Sequence, residues 1–435
     1  MGRILEEKDA AEWVYRGEGA ANLVLSYTGR SPTYIGKVLR IKKSLRSKPQ
    51  SITPASVLSP HDILLWKDLK DIVSSTSTDT AAQLYVLNVM LPLLGSDHVD
   101  AGKSILVSRP FLEAIEKTIL SQRPSWRVDA AKVNTVCDSA LLISDHSIFP
   151  HGVLQGDPCI SVELKPKCGF LPSSKLINEQ THVKKSVPRF RMHQYLKLRQ
   201  GEISQLSEYN PLDLFSGCRE KTNKALNALY RNPQNNFRVF MNGSFINFKG
   251  GESLESQLEG VISADDGERL PNFLNLISET ILKSGVLNRL LEAQKLDSLD
   301  IEGAIHAYYN IVSQPCKVCR DLKKSEFSQR CESLHSLSLE ESLKIVRDYL
   351  ISATAKDCSL MISFKPGVSG DLECSFGSVQ LESTKQRFEY KAYFIDLDMK
   401  PLKKMGHYYE LDQRIVKCFM EMQNGQNGLS TNGRC

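Results

Sequence analysis

The stretch WVYRGEGAANLVLSY, Trp13 to Tyr27, sets two runs of β-prone residues on either side of GEGAAN. This spacing predicts a hairpin. Gly17 and Gly19 fall in its turn, where a missing side chain lets backbone amides come close to a ligand. A third strand is expected in YIGKVLRIKK, Tyr34 to Lys43. Alternation with period two puts Lys37, Leu39 and Ile41 on one face, and Gly36, Val38, Arg40 and Lys42 on the other. The glycine turn joins strand to strand, not strand to helix, which excludes a Rossmann turn. No G-x-x-x-x-G-K-[ST] run occurs anywhere in the chain.

Strand, glycine turn, strand, then a strand bearing a cation (Arg40) is the layout of a protein-kinase-like small lobe. A plain hairpin would read the same way, so other residues must decide. Asp357, in AKDCS, follows a helical pattern and precedes the strand LMISF, Leu360–Phe364. Asp396 closes the strand RFEYKAYFID, which opens at Arg387. Kinases place a catalytic aspartate before a pair of short strands and a metal-binding aspartate after them. The order matches, although neither HRD nor DFG is present. In the following KPLKKMGHYY, a helix would put Lys400, Lys404 and Tyr408 on one face.

A second decisive stretch is SVELKPKCGF, Ser161–Phe170. Read as a strand, it turns Val162 and Leu164 one way and Glu163, Lys165 and Lys167 the other. Pro166 cannot donate to a sheet ladder, so the segment is expected at an edge or a strand end. Lysines at an exposed edge can simply discourage aggregation. They also suit phosphate.

The chain has 435 residues, 41% hydrophobic and 24% charged, with a net charge of +5. Ordinary globular composition at this length predicts two to three domains or one large two-lobed fold. The charge excess is too small to indicate nucleic-acid binding. No secretory signal is read at the start, and no apolar run approaches the roughly 20 residues of a membrane span. The 11 cysteines lack a scaffold pattern and read as free thiols of a reducing compartment, cytoplasmic and/or nuclear. No sequence feature marks an interface, so a monomer is expected.

The expected fold is α+β and two-lobed. A smaller β-containing lobe covers residues 1–143, a hinge and connection 144–158, and a larger, mostly helical lobe 159–421. Residues 44–60 read as a polar loop and 422–435 as a disordered tail. Helices are expected over 61–94 and 109–122, then strands WRVDA (Trp126–Ala130) and SALLIS (Ser139–Ser144). Further helices cover 272–296, broken near Gly285, and Asp300 to about Ser313. Another opens with a capping box at Ser338 and runs to about Ile351.

A metal site is expected in the second lobe. His306 precedes Cys316-Lys-Val-Cys319, and His335 follows. A C-x-x-C knuckle clamps one side of a tetrahedral ion, and a histidine from each flank completes it. His306 falls with Glu302 and Asn310 on the polar face of its helix, not on the apolar stripe. Cys331 is a rival fourth ligand, and two free thiols are the plain alternative. Four protein ligands would make the site structural.

Together these segments resemble the plant inositol-pentakisphosphate 2-kinases, from about Ile4 to Tyr409. The resemblance is carried by LEEKDAAEWVYRGEGAANLVL, GKVLRI, RPSWRV, ISVELKPKCGFLP, PLDLFSG, PQNNFRVFMNGS, KLDSLDIEGAIH, ATAKDCSLMISF and FIDLDMKPLKKM. The E-x-K-P-K run is a signature of the family. The resemblance implies a fold distantly related to protein kinases. It implies transfer of the ATP γ-phosphate to the 2-hydroxyl of inositol 1,3,4,5,6-pentakisphosphate, giving the hexakisphosphate. Carried onto this chain, Gly19, Ala20, Ala21, Asn22 and Arg40 would hold ATP phosphates, and Ser144, Asp145 and His146 would form the hinge. Glu163, Leu164, Lys165 and Arg238 would also touch ATP, and Asp396 would hold Mg²⁺. Arg127, Lys167, Lys197, Asn235, Lys400, Lys404 and Tyr408 would contact the inositol phosphate. Asp357 would orient and deprotonate the hydroxyl, with Lys165 beside the transfer. His306, Cys316, Cys319 and His335 would hold a structural Zn²⁺. Lys404 departs from the arginine of close members, which loses a bidentate fork.

The substrate would carry roughly −8 to −10 charges, so the cations must be concentrated locally. The alternatives are a kinase for another inositol hydroxyl, or a non-catalytic binder of inositol phosphates or RNA. A dead kinase should lose Asp357 or Asp396, and both are present.

Overall fold

Leu23 and Leu25, like Leu39 and Ile41, occupy alternate positions of their strands, and all four are fully buried on one face of one sheet. Their sheet is made of β1 (Trp13–Glu18), β2 (Asn22–Tyr27), β3 (Lys37–Leu45), β4 (Lys103–Leu106) and β6 (Ser139–Ser144), in the order β1-β2-β3-β6-β4, with β5 (Ala131–Val133) paired to β3. Every pairing in it is antiparallel. Phe111, Leu112, Ile115 and Ile119, one face of the helix Arg109–Ile119, close over the same core. Burying each such side chain contributes about 1.5–3 kcal/mol. In this computed structural model the described residues are 4–47, 57–149, 158–247, 253–321, 332–367 and 376–431. Most of the expected loop 44–60, residues 150–157 of the connection, and Cys331 lie outside them.

The chain divides into two compact units. The first comprises Met1–Ser161, Phe240–Ser244 and Ser363–Lys365, and the second comprises the rest. Two short returns to the first unit, from strands far along the sequence, are not visible to a linear reading of lobes.

Two elements of the first unit differ from expectation. WRVDA is not a strand: Ser125–Ala130 is helical, and β5 begins at Ala131. Pro124 opens the turn, and its carbonyl accepts from the amides of Arg127 and Val128. This local closure overrides the β preference of Trp126 and Val128. Residues 61–94 are helical only in pieces, among them Pro60–Leu65 and Thr78–Tyr85, each capped by a serine, Ser59 and Ser77.

In the second sheet, β7 (Ile160–Leu164), β8 (Phe237–Met241), β9 (Ser244–Phe245), β10 (Ser359–Pro366), β11 (Gly377–Gln380) and β12 (Arg387–Ile395) are ordered β11-β12-β10-β7-β8-β9. β7 is therefore central and wholly buried, not an edge. Pro166 escapes the ladder because the strand ends two residues earlier, at Leu164. The helix Arg269–Ser284 packs against β11. Arg189–Arg199 lies on the final helix through Met192, Tyr195 and Leu196 against Ile415, Val416 and Phe419. Helices Arg269–Ser284 and Val286–Lys295 break at Gly285, whose φ of 63° is left-handed, as the sequence predicts. The capping box at Ser338 opens a helix that continues past Ile351 to Asp357.

The final helix, Met405–Thr431, runs through the segment expected to be a disordered tail after Met422. The architecture is mixed α and β, with two sheets and their helices, compatible with α+β. Among the described residues no helix is long and apolar enough to cross a membrane.

Candidate active site

The second unit gathers its charged side chains at the ends of three elements. β7 delivers Glu163 and, just beyond its end, Lys165, whose amide still bonds the Asn236 carbonyl at 2.9 Å. Lys167 does not continue the alternation. Its φ is 63°, a left-handed conformation uncommon outside glycine, so the loop turns sharply there. The helix Leu339–Asp357 ends on Asp357, and β12 ends just before Asp396, which is also left-handed at φ 63°.

Carboxylates and cations alternate across the group. Glu163 accepts from the Ser359 hydroxyl at 2.8 Å and from Arg238 at 3.5 Å, and lies 4.0 Å from the Lys165 ammonium. Lys165 is 3.7 Å from Asp396. Asp357 stands between Lys167 at 3.9 Å and Lys400 at 3.3 Å. Burial would raise the Asp357 carboxyl, but Lys400 and Lys167 hold it below the ordinary carboxylate value. Asp357 is therefore ionised at neutral pH.

Burial pushes the Lys167 ammonium down to about 8; Asp357 opposes this, and Lys165 and Lys197 reinforce it. Tyr408 is pushed up to about 12 by burial and then by Asp357. Lys400 precedes the short turn Leu402–Lys404, so Lys400, Lys404 and Tyr408 do not share one helix face as the spacing predicts. Pro401 breaks that helix at its start. Lys404 is exposed.

Lys197 and Asn235 line a cavity of about 400 Å³ with Asn232, Gln234 and Glu202. The helix Arg189–Arg199 also carries Arg189 and His193, two turns and one turn before Lys197 on the same face. These two are absent from the residues read from sequence. Burial, then Arg189, Lys197 and Lys167, hold His193 down to about 3, so it is a neutral donor or acceptor among cations. Their spacing in RFRMHQYLK could have revealed them, but a packed amphipathic helix accounts for the same pattern.

In the first unit, the turn Gly19–Asn22 closes β1 on β2, with the Gly19 amide bonding the Asn22 carbonyl at 2.9 Å. Neither Gly17 nor Gly19 has a positive φ, and a Cβ at either would meet nothing within 4 Å. The backbone does not require glycine there. What glycine provides is open space beside the turn. With its amide oxygen turned toward Arg40, Asn22 accepts from Nη2 at 2.6 Å and Nε at 3.2 Å.

The Ser144 amide bonds Asp100 at 3.1 Å, and the Asp145 amide bonds the Gly36 carbonyl at 2.8 Å. His146 lies 3.4 Å from Asp100. Burial alone would raise Asp100; hydrogen bonds from His146 and the Gly102 amide hold it far below the carboxylate range. Arg127 stacks over Trp126 at 4.0 Å.

His306, Cys316, Cys319 and His335 meet in the second unit, their donor atoms all within 4.8 Å of one another. His306 Nδ1 lies 3.1 Å from His335 Nε2, and the thiol–imidazole separations are 3.2–3.5 Å. Zinc bonds of about 2.0–2.3 Å in a tetrahedron give edges of roughly this length. His335 Nδ1 donates to the Asn310 Oδ1 at 3.0 Å, which leaves Nε2 as the lone-pair nitrogen. Burial, then His335, pushes His306 down to about 4, and burial lowers His335. Both rings are thus neutral, as ligation requires. The polar face of the His306 helix is not solvated: His306 is fully buried, and Glu302 is buried against Lys184.

Lysines and carboxylates interleaved at strand and helix ends, with a glycine turn elsewhere in the chain, are features that suit a phosphoryl-transfer enzyme. The comparisons with known proteins agree. The family described as inositol-pentakisphosphate 2-kinase matches residues 15–414. The inositol-pentakisphosphate 2-kinase of Arabidopsis thaliana is 52% identical over 98% of this chain and 97% of its own length. That of Oryza sativa subsp. indica is 51% identical over 98% and 97%. That of Danio rerio is 28% identical over 96% and 94%. The chain belongs to the inositol-pentakisphosphate 2-kinase family.

Proposed function

We propose that this protein transfers the γ-phosphate of ATP to the 2-hydroxyl of inositol 1,3,4,5,6-pentakisphosphate, giving inositol hexakisphosphate. The observation that carries the reading is Asp357, an ionised carboxylate at a helix end between Lys167 and Lys400. The lysines bind substrate phosphates, and Asp357 orients the hydroxyl and takes its proton as oxygen attacks phosphorus. Lys165 neutralises charge on the transferring group. Lys197, Asn235, Lys404, Tyr408 and Arg127 complete the hold on the inositol phosphate. Positioning and charge neutralisation supply most of the rate, as phosphoryl transfer demands little covalent work from the protein.

The nucleotide is assigned the turn Gly19–Asn22, Arg40 and the segment Ser144–His146 from the first unit. Glu163, Leu164, Lys165 and Arg238 are assigned to it as well. Asp396 suits Mg²⁺, since that ion takes one or two carboxylates and completes its shell with phosphates and water. Bound there, it would neutralise the β- and γ-phosphates. His306, Cys316, Cys319 and His335 suit a structural Zn²⁺, with no open position for chemistry. None of the described cysteines forms a disulfide, in keeping with a reducing, cytoplasmic or nuclear, compartment.

The test is incubation with Mg-ATP and the pentakisphosphate, with products resolved by anion exchange and the phosphate position assigned by NMR. A hexakisphosphate product is expected. Phosphorylation only of other inositol phosphates would move the assignment to another hydroxyl.

A further inference from the structure

Lys167 and Asp357 are held by different parts of the chain, and one fully buried side chain joins them. Gln294, on the helix Val286–Lys295, has no exposed surface. Its amide nitrogen donates to the Lys167 carbonyl at 2.7 Å and to the Ala355 carbonyl at 3.1 Å. Its amide oxygen accepts from the Gly169 amide at 2.8 Å. Both donors and one acceptor site of the side chain are therefore used within the protein.

Each partner bears on a reacting group. The Lys167 carbonyl and the Gly169 amide flank the loop in which Lys167 adopts its left-handed conformation. A non-glycine residue persists in that region when its surroundings fix it. The loop is fixed on two further sides. Tyr209 donates to the Pro166 carbonyl at 2.7 Å, and a Cβ on Gly169 would meet the Phe215 ring at 2.4 Å. Ala355 lies in the last turn of the Asp357 helix, where carbonyls lack intrahelical donors. The Gln294 side chain thus caps the helix that ends on Asp357 while it clamps the loop that presents Lys167.

We propose that Gln294 is a positioning residue, setting the Lys167 ammonium against the Asp357 carboxylate so that substrate phosphate and attacking hydroxyl are held in register. This rests on the assignment of Lys167 and Asp357 to the inositol-phosphate site. Gln294 touches neither substrate nor the reacting atoms.

The test compares wild type with Gln294→Met, which keeps the volume but no hydrogen bond, and Gln294→Glu, which keeps only the acceptor. Lys167→Ala and Asp357→Ala are measured beside them, with KM for the pentakisphosphate and for ATP determined separately. A misplacement of about 1 Å costs on the order of 100-fold, so kcat/KM for the pentakisphosphate should fall 10- to 100-fold in both Gln294 variants. KM for the pentakisphosphate should rise, and KM for ATP should stay within about twofold of wild type.

A fall in kcat alone, with both KM values unchanged, would mean fewer folded molecules and would overturn the proposal. So would wild-type kinetics in a folded variant, or failure of both variants to fold, which would make Gln294 a plain core residue. Active Lys167→Ala and Asp357→Ala proteins would instead refute the site assignment itself.

Discussion

Raising the pH should strip the substrate-binding site of the charge on Lys167. Burial, with Lys165 and Lys197 nearby, brings Lys167 from the ordinary 10.5 down to about 8. An anionic phosphate selects the protonated lysine. Below about pH 8 the group is already charged, and Lys167 adds no pH dependence. Above it, binding must take up a proton, and affinity for the pentakisphosphate falls about tenfold per pH unit, or about 1.4 kcal/mol. Near pH 9 the expected loss is ~10-fold. Lys167→Arg keeps the charge at every accessible pH and should remove this limb.

The assay is calorimetric titration of the pentakisphosphate between about pH 7 and 9.5, repeated in buffers of different ionisation enthalpy to count protons. Wild type should take up close to one proton near pH 9, and Lys167→Arg close to none. The stability of the ligand-free protein should move the other way. A lysine whose folded pKa is depressed costs stability while protonated, and that cost disappears as pH rises from 8 toward 10.5. The difference is about 3 kcal/mol at most, read as wild type against Lys167→Arg. The same affinity slope in both proteins would refute the role given to Lys167.

Three further outcomes follow from the packing. Purified protein should carry one equivalent of zinc, and Cys316→Ser should lose it together with a large part of the stability. Structural zinc contributes on the order of 10 kcal/mol, so metal-free protein with an unchanged melting temperature would contradict this. Gly169→Ala should destabilise by about 1–3 kcal/mol in denaturant titration, since its Cβ meets the Phe215 ring. Lys184 is buried among Asp300, Glu302 and Asp412, so Lys184→Met should cost about 3–5 kcal/mol, again by denaturant titration.

Much of the site was legible because its residues sit where sequence patterns change. Asp357 ends a helix, Asp396 directly follows a strand, and Lys165 and Lys167 flank a proline that a ladder cannot use. The cluster of His306, Cys316, Cys319 and His335 was legible for a similar reason: its residue types and spacing are those that suit a tetrahedral metal. What stayed hidden depends on tertiary context. The alternation that seemed to align Lys165 with Lys167 stops at Leu164, and the loop beyond is shaped by Gln294 and Tyr209, both far away in sequence. WRVDA has strand composition, yet Pro124 starts a helical turn. The central place of β7 follows from strands more than seventy residues on, which no local pattern announces. His193 was passed over because a half-buried neutral histidine on a helix looks like packing until Arg189, Lys197 and Lys167 are seen around it.

The central claim is that Asp357 orients and deprotonates the acceptor hydroxyl. Rapid-quench measurement of a single turnover, with wild type and Asp357→Asn both saturated with Mg-ATP and the pentakisphosphate, tests it most directly. The chemical step should slow by roughly 100- to 10,000-fold, the range of a lost general base, with nucleotide affinity retained. A single-turnover rate within a few-fold of wild type would show that the proton leaves by another route, and the account of this site would fail.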